Sequence, residues 1–442
     1  MTDAEALVRA ACSFDPRPAV ELLAGRTPIS RHDIAARGGT GDPEIAALCV
    51  AGDADAVAAL LASSPGAALE PAPPFGWAPI LYATFSRLPR ADPGRAEGLR
   101  AVVGLLLEAG ADPNASFDHD GWLQVPLYGA AGILNDARIT AMLIDAGADP
   151  NDNGERGVGE ALYHGCEFRD PACAELLIDA GTSQDTVDHC LGRALNFPHP
   201  EMIEMFCAHG ARPRAGHLLQ AAWRRRPAGT VRVLLNAGAP VDGRERHEPD
   251  GPSALQVATR WGEGEVADLL AERGGDQTAV TDADHALGEF LAGATEVAPP
   301  AAGIDLDAML LMAVQGGHTA TVERLLAAGA RVDGDPDTDG VPLGQAAWRR
   351  YPDIVRLLVG HGAELVFPHG GNAIGAALHG SRNCQHPEGG PTMQTVGEIP
   401  QAPYAEVVRC LLDAGTPVPE RVGDWTRPPA TMIEELLTGS GA

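Results

Sequence analysis

Apolar positions along this chain recur as one block: two leucines or their equivalents, two or three further residues, then a glycine among small residues. The block reads LLLEAGADPN at 105–114, MLIDAGADPN at 142–151, LLIDAGTS at 176–183 and LLNAGAPVD at 234–242. It returns as LLAAGARVD at 325–333, LLVGHGAEL at 357–365 and LLDAGTPV at 411–418. Alanine pairs precede several blocks: Ala130-Ala131, Ala221-Ala222 and Ala346-Ala347. The leucines predict an outer helix with a wide apolar stripe, and the alanines a short inner helix that approaches its neighbour closely. The glycine supplies the left-handed residue that ends the outer helix. Asp-rich strings, Asp118-His119-Asp120-Gly121 and Asp337-Thr338-Asp339-Gly340, predict the hairpin turn into the next inner helix. From Gly110 the glycines follow at 37, 34, 29 and 28 residues, and Gly329 to Gly362 is 33. Such a period predicts an all-α helical solenoid of about ten helix-turn-helix repeats joined by short hairpin turns. A unit of this size cannot bury its own leucines, so stability has to come from stacked neighbours and polar end caps.

The unit GVPLGQAAWRRYPDIVRLLVGHGAEL at 340–365 resembles an ankyrin repeat, and the resemblance covers residues 40–418. It is specific at the end of each unit, where the family has Leu-Leu-x-x-Gly-Ala-Asp. At the start the family has Thr-Pro-Leu-His, whereas this chain has Val125-Pro126-Leu127-Tyr128, Ser253-Ala254-Leu255-Gln256 and Val341-Pro342-Leu343-Gly344. The family's Thr/His hydrogen bond is missing from those units. The resemblance implies an ankyrin-like array whose function sits on a concave side made of turn tips and inner helices.

Organisation along the chain is uneven. Residues 1–66 read as degenerate N-terminal capping repeats, followed by the stretch Pro71-Ala72-Pro73-Pro74; residues 67–293 read as a first sub-array and 304–442 as a second, ending in a capping helix over 431–437. The 55 residues from Gly274 to Gly329 fit neither one unit nor two, and Pro299-Pro300 within them predicts a joint. Insertions interrupt the repeat at 87–98 and 379–403. Insertions of this kind collect on one face of a repeat protein, often the binding one.

Net charge narrows the partners. Lys plus Arg number 32 against 60 acidic residues, a formal charge of −28, and no lysine occurs at all. Arginine alone, with abundant Ala, Gly and Pro, points to a GC-rich, bacterial genome. The acidity favours a basic protein partner and disfavours nucleic acid and anionic membrane. The N-terminus lacks the basic and apolar runs of a secretion signal, and no apolar run reaches the roughly 18 residues that span a bilayer. A cytoplasmic location is expected. Eight cysteines without a CxxC pair fit small core hydrophobes in a reducing compartment.

One register of the repeat, directly after the alanine pair, collects six of the 20 aromatic residues: Phe85, Phe168, Phe197, Trp223, Trp261 and Trp348. Large rings beside arginines have the composition of binding hot spots. Trp122, Phe168, Arg193, Phe197, Trp223, Arg224, Arg260, Trp261, Trp348 and Arg349 are therefore the expected binding residues. The competing reading makes these rings plugs between successive units. In HGSRNCQHPEGG, His379, Cys384 and His386 match no familiar zinc spacing, so no metal or cofactor is expected. Glycine-rich phosphate loops, Gly-x-Ser-x-Gly and His-Glu-x-x-His are absent, and no catalytic residue is assigned. These features together predict a non-catalytic protein–protein interaction scaffold that uses the concave face. The alternative is a small-molecule binder or enzyme with a pocket drawn from His164, His189, Arg193, Trp223 and Arg224.

Overall fold

A computed structural model describes residues 2–13, 16–25, 43–119, 122–151, 160–244, 251–294, 304–335, 341–368, 370–383, 401–418 and 436–437. The expected joint at 295–303, the turn at 337–340, Cys384 and His386 of the second insertion, and residues 431–435 of the expected cap lie outside the described residues. The described chain is helical apart from one short antiparallel hairpin, β1 (Phe117–His119) paired with β2 (Trp122–Gln124), and two isolated bridges.

Two compact units divide it, the first over Met1–Ala194 with Ala208–Ala211, the second over Leu195–Cys207 and onward from Arg212. In the first unit run α1 (Asp3–Ala11), α2 (Arg17–Gly25), α3 (Pro43–Ala51), α4 (Ala54–Ser63), α5 (Pro79–Phe85), α6 (Leu88–Ala91) and α7 (Arg95–Glu108). They are followed by α8 (Pro126–Tyr128), which widens into a π turn over Gly129–Leu134, then α9 (Ala137–Asp145), α10 (Glu160–Gly165), α11 (Ala172–Asp179) and α12 (Gln184–Ala194). Leading helices stack in succession: α1 on α3, α3 on α5, α5 on the π turn, the π turn on α10, and α10 on α12. Trailing helices do the same, α4 on α7, α7 on α9 and α9 on α11.

After α13 (Pro200–Ala208), the second unit continues with α14 (Ala215–Trp223), α15 (Ala228–Asn236), α16 (Ala254–Trp261), α17 (Gly264–Glu272) and α18 (Asp282–Ala292). Then come α19 (Leu306–Gln315), α20 (Thr319–Ala327), α21 (Pro342–Trp348), α22 (Pro352–Gly360), α23 (Ala373–Asn383) and α24 (Gln401–Asp413). Here α14 stacks on α16, α19 on α21 and α21 on α23, while α15 meets α17, α20 meets α22 and α22 meets α24. Helix α18 breaks this order. It packs on the leading helix α16 and on the trailing helix α20, where Arg324 Nη1 donates to Phe290 O at 2.7 Å and Ala294 O at 3.1 Å. The 55-residue interval thus contains an extra single helix. By compactness the chain divides near Ala194, and the helices on both sides of 295–303 belong to one unit.

The repeated block has a local cause that the structure makes explicit. In the first such block, Gly110 has φ 91°, its N–H donates to Leu107 O, and the Ala111 N–H reaches back to Leu106 O, both at 2.9 Å. This paired bonding is the Schellman cap, which satisfies carbonyls that the helix end would leave bare. The same pair of bonds recurs at Gly147, Gly181, Gly238, Gly329, Gly362 and Gly415. The residue four before each glycine, Leu106, Leu143, Leu177, Leu234, Leu325, Leu358 or Leu411, is buried. Each contributes about 1.5–3 kcal/mol by leaving water. Side chains beyond the cap tie neighbouring turns together. Asn114 Nδ2 donates to Gly147 O while its Oδ1 accepts from the Asp149 N–H, and Asn151 does the same with Gly181 O and the Ser183 N–H.

Leading helices touch backbone to backbone. A Cβ built on Gly288 of α18 would lie 2.0 Å from Thr259 O of α16. The 87–98 insertion holds α6: Leu88 is buried, Arg87 Nη1 donates to Cys12 O at 2.8 Å and Arg90 Nη2 to Ile133 O at 3.1 Å.

Candidate functional site

The aromatic and arginine register does not form an exposed stripe. Phe168, Phe197, Arg260, Trp261 and Arg349 are buried, whereas Arg193, Trp223, Arg224 and Trp348 are half-buried; Trp122 lies on β2. The reason is the chain reversal at the end of each leading helix. In six of these helices the residue that reverses the chain takes a positive φ: Gly52, Asn135, Arg225, Gly262, Gly317 and Arg350; α10 and α12, which precede Phe168 and Phe197, reverse without one. The side chains just before this reversal turn into the seam with the next helix pair. Arg260 Nε thus meets Asp284 Oδ1 of α18 at 2.6 Å, and Trp348 O accepts from the Tyr404 hydroxyl at 2.5 Å.

Two polar sites stand out. The first is built by α10, the turn after it, and α12. His164 Nε2 lies 3.2 Å from Glu160 Oε2 and its Nδ1 lies 3.1 Å from Glu167 Oε1, which also receives Arg193 Nε at 3.0 Å. The Arg193 guanidinium covers the Tyr163 ring at 4.9 Å, and His189 stacks on the same ring at 5.8 Å. Burial alone would lower the His164 pKa, but the hydrogen bonds from Glu160 and Glu167 outweigh it and hold the value up to about 9. Glu167 is held below the usual carboxylate range: burial pushes it up, and His164 and Arg193 pull it further down. Two cations and two carboxylates balance one another, and both ring nitrogens of His164 are engaged. This geometry suits a fixed ion cluster better than a general base. The Cys166 thiol beside it donates to Tyr163 O at 3.1 Å, and burial raises its pKa well above the ordinary value. Burial likewise pushes Cys12 and Cys173 up to about 12 and Cys207 to about 11, so these thiols stay protonated at neutral pH.

The second site is a cleft in the second unit where the leading helices α14, α16 and α19 end. It is lined by Trp223, Arg224, Arg225, Arg226, Trp261, Met312, Gly316 and His318. Trp223 and Trp261 meet edge to face at 6.3 Å. Arg225 covers Trp261 at 5.6 Å, pairs with Glu263 Oε1 at 2.6 Å and reaches Thr321 Oγ1 at 3.4 Å. Arg226 donates to Leu195 O and Asn196 O at 3.1 and 3.2 Å. The interior holds about 20 Å³. A single water needs roughly 10–15 Å³ on this measure, and an ordinary small-molecule pocket is many times larger.

Of the five residues named for a pocket, His164, His189 and Arg193 converge on Tyr163 in the first unit, while Trp223 and Arg224 line the cleft in the second. Arg225, Arg226, Met312 and His318 were not singled out from sequence, although the near-copies QAAWRR at 220–225 and 345–350 carry the first of them. Among the described residues, Glu175, Asp179 and His209 place one ligand atom each within 4.8 Å of one another. His209 already spends both ring nitrogens there, Nε2 at 3.3 Å from Glu175 and Nδ1 at 3.0 Å from Asp179.

Comparison of the chain with protein-family models and with curated proteins finds no match to either. No helix among the described residues is long and apolar enough to cross a membrane.

Proposed function

We propose that the chain is an ankyrin-like solenoid of about ten helix pairs that acts as a non-catalytic scaffold for a protein partner in the cytoplasm. The observation that carries this reading is the placement of Trp223 and Arg224, half-buried, on a cleft where the leading helices α14, α16 and α19 end. A large ring and a guanidinium that keep accessible surface offer area and a polar handle to a partner. The formal charge of −28 would speed encounter with a basic surface. The small interior of the cleft and the charge-balanced His164 cluster weigh against a substrate pocket of ordinary size, although His164, His189 and Arg193 keep that second reading open to test.

Affinity isolation from lysate with the wild-type chain and with Trp223→Ala/Arg224→Ala, read by mass spectrometry for proteins and metabolites, separates the two. The expected result is a defined, basic protein that is retained by the wild type and lost with the variant at nearly unchanged melting temperature. Enrichment of a metabolite without a protein, or capture indifferent to the variant, overturns the scaffold reading.

A further inference from the structure

Three leading-helix ends converge on the cleft, and each ends in the same way. Arg226, Glu263 and His318 follow the reversing residue, and their N–H groups reach back to Ala221 O, Ala258 O and Ala313 O at 2.8, 3.0 and 3.0 Å. At the reversing position itself α16 and α19 use Gly262 and Gly317, with φ 72° and 75°, whereas α14 uses Arg225 with φ 52°. An arginine held where glycine serves its neighbours is a strained choice, of the kind that concentrates at functional sites. Its guanidinium lies over Trp261 and between Glu263 and Thr321.

Charge and hydrogen-bonding capacity then point the same way. The lining residues include three arginines, of which Arg225 is paired with Glu263, in a chain whose acidic residues outnumber its basic ones 60 to 32. Trp261 is 2% exposed, and its Nε1–H has no acceptor among the described residues. A buried donor of this kind is costly unless a ligand meets it. The interior of about 20 Å³ takes one small group rather than a whole metabolite. Gly316 lets the His318 ring sit close against the chain at the cleft, since a Cβ there would lie 2.6 Å from His318 Nε2.

We infer that the cleft is a binding site for one phosphate group, free or as a monoester. A phosphate monoester carries about −1.5 to −2 charges and three strong acceptor oxygens at pH 7. That is enough to meet Trp261 Nε1–H and guanidinium donors at once, and guanidinium is the side chain best matched to phosphate. A carboxylate supplies half the charge and one acceptor oxygen fewer. The Trp223 ring at the edge of the cleft would lie beside the organic part of an ester. This assignment is independent of the scaffold reading and stands whether or not a protein partner carries the phosphate.

The test is a titration of the intact chain with sodium phosphate and with phenyl phosphate at constant ionic strength, read by tryptophan fluorescence and calorimetry, with chloride and acetate as comparison anions. A saturable signal is expected for both phosphates, together with a rise in melting temperature on binding. Trp261→Phe keeps the ring and removes the donor, and should weaken binding about tenfold or more. Arg224→Gln provides a second variant should Trp261→Phe fold poorly, and should also weaken binding. Tighter binding of phenyl phosphate than of inorganic phosphate assigns the site to an ester; equal affinity assigns it to the free anion. Absence of saturation, an equal response to acetate, or undiminished binding in both folded variants overturns the inference.

Discussion

At the scale of single residues, His164 shows how far environment moves a side chain from its ordinary behaviour. Glu160 and Glu167 face it from its own helix and the turn beyond, Arg193 from α12, and the Tyr128 and Tyr163 rings lie 5.2 and 5.1 Å away. The folded-state pKa of about 9 lies above the ordinary 6.5. A raised value means that the stabilisation is complete below pH 6.5 and is lost as pH rises through about 9. The wild type should therefore lose about 2–3 kcal/mol between pH 6 and pH 10 that His164→Gln does not lose, measured by urea denaturation at each pH. Parallel curves for the two proteins would show that the cluster does not hold the proton. The sequence named His164 and Arg193 together for a pocket, and the two carboxylate partners of His164 are only three and four residues away from it, yet their convergence with Arg193 depends on the next helix pair.

Between elements, the close approach of leading helices is the feature most open to a single substitution. Gly288 lets α18 come within contact of the α16 backbone, and a methyl group there would press on Thr259 O. Gly288→Ala should cost about 1–3 kcal/mol, as overpacking does elsewhere. Gly229, near the start of α15, meets nothing within 4 Å, so Gly229→Ala should be neutral or stabilising by up to about 1 kcal/mol. A denaturation curve for each variant checks both, and equal effects would refute the contact. The alanine pairs announced close packing in the sequence, and Ala130, Ala131, Ala346 and Ala347 are wholly buried. The glycines that bring α16 and α18 together were not legible, because Gly288 has no repeat-wide register to mark it.

For the whole molecule, charge is the property that sets its response to solution conditions. With a formal −28, mutual repulsion among carboxylates opposes the folded state, and only part is relieved by pairs such as Arg100 with Glu97 and Asp136 or Arg356 with Asp353 and Glu406. Raising salt from about 10 mM to about 300 mM shortens the screening length from roughly 30 Å to roughly 6 Å. The melting temperature should then rise by several degrees in a scan at fixed pH. A fall would show that the arginine pairs, not the net charge, govern stability. The same salt should weaken capture of a basic partner.

What the sequence determined by itself is the local grammar: glycine-ended leucine helices, alanine-rich leading helices, and turns between them. Each follows from backbone bonds that span five residues or from a period of 3.6, so a short window contains all the information. The tertiary structure decided which way the aromatic register faces, where the chain divides, and which charges meet. Those outcomes rest on contacts such as Arg225 with Glu263 and with Thr321, 38 and 96 residues away along the chain. No linear motif encodes them, because burial and bonding partners are properties of the seam between stacked helices, which exists only once the neighbouring pair has folded against the first.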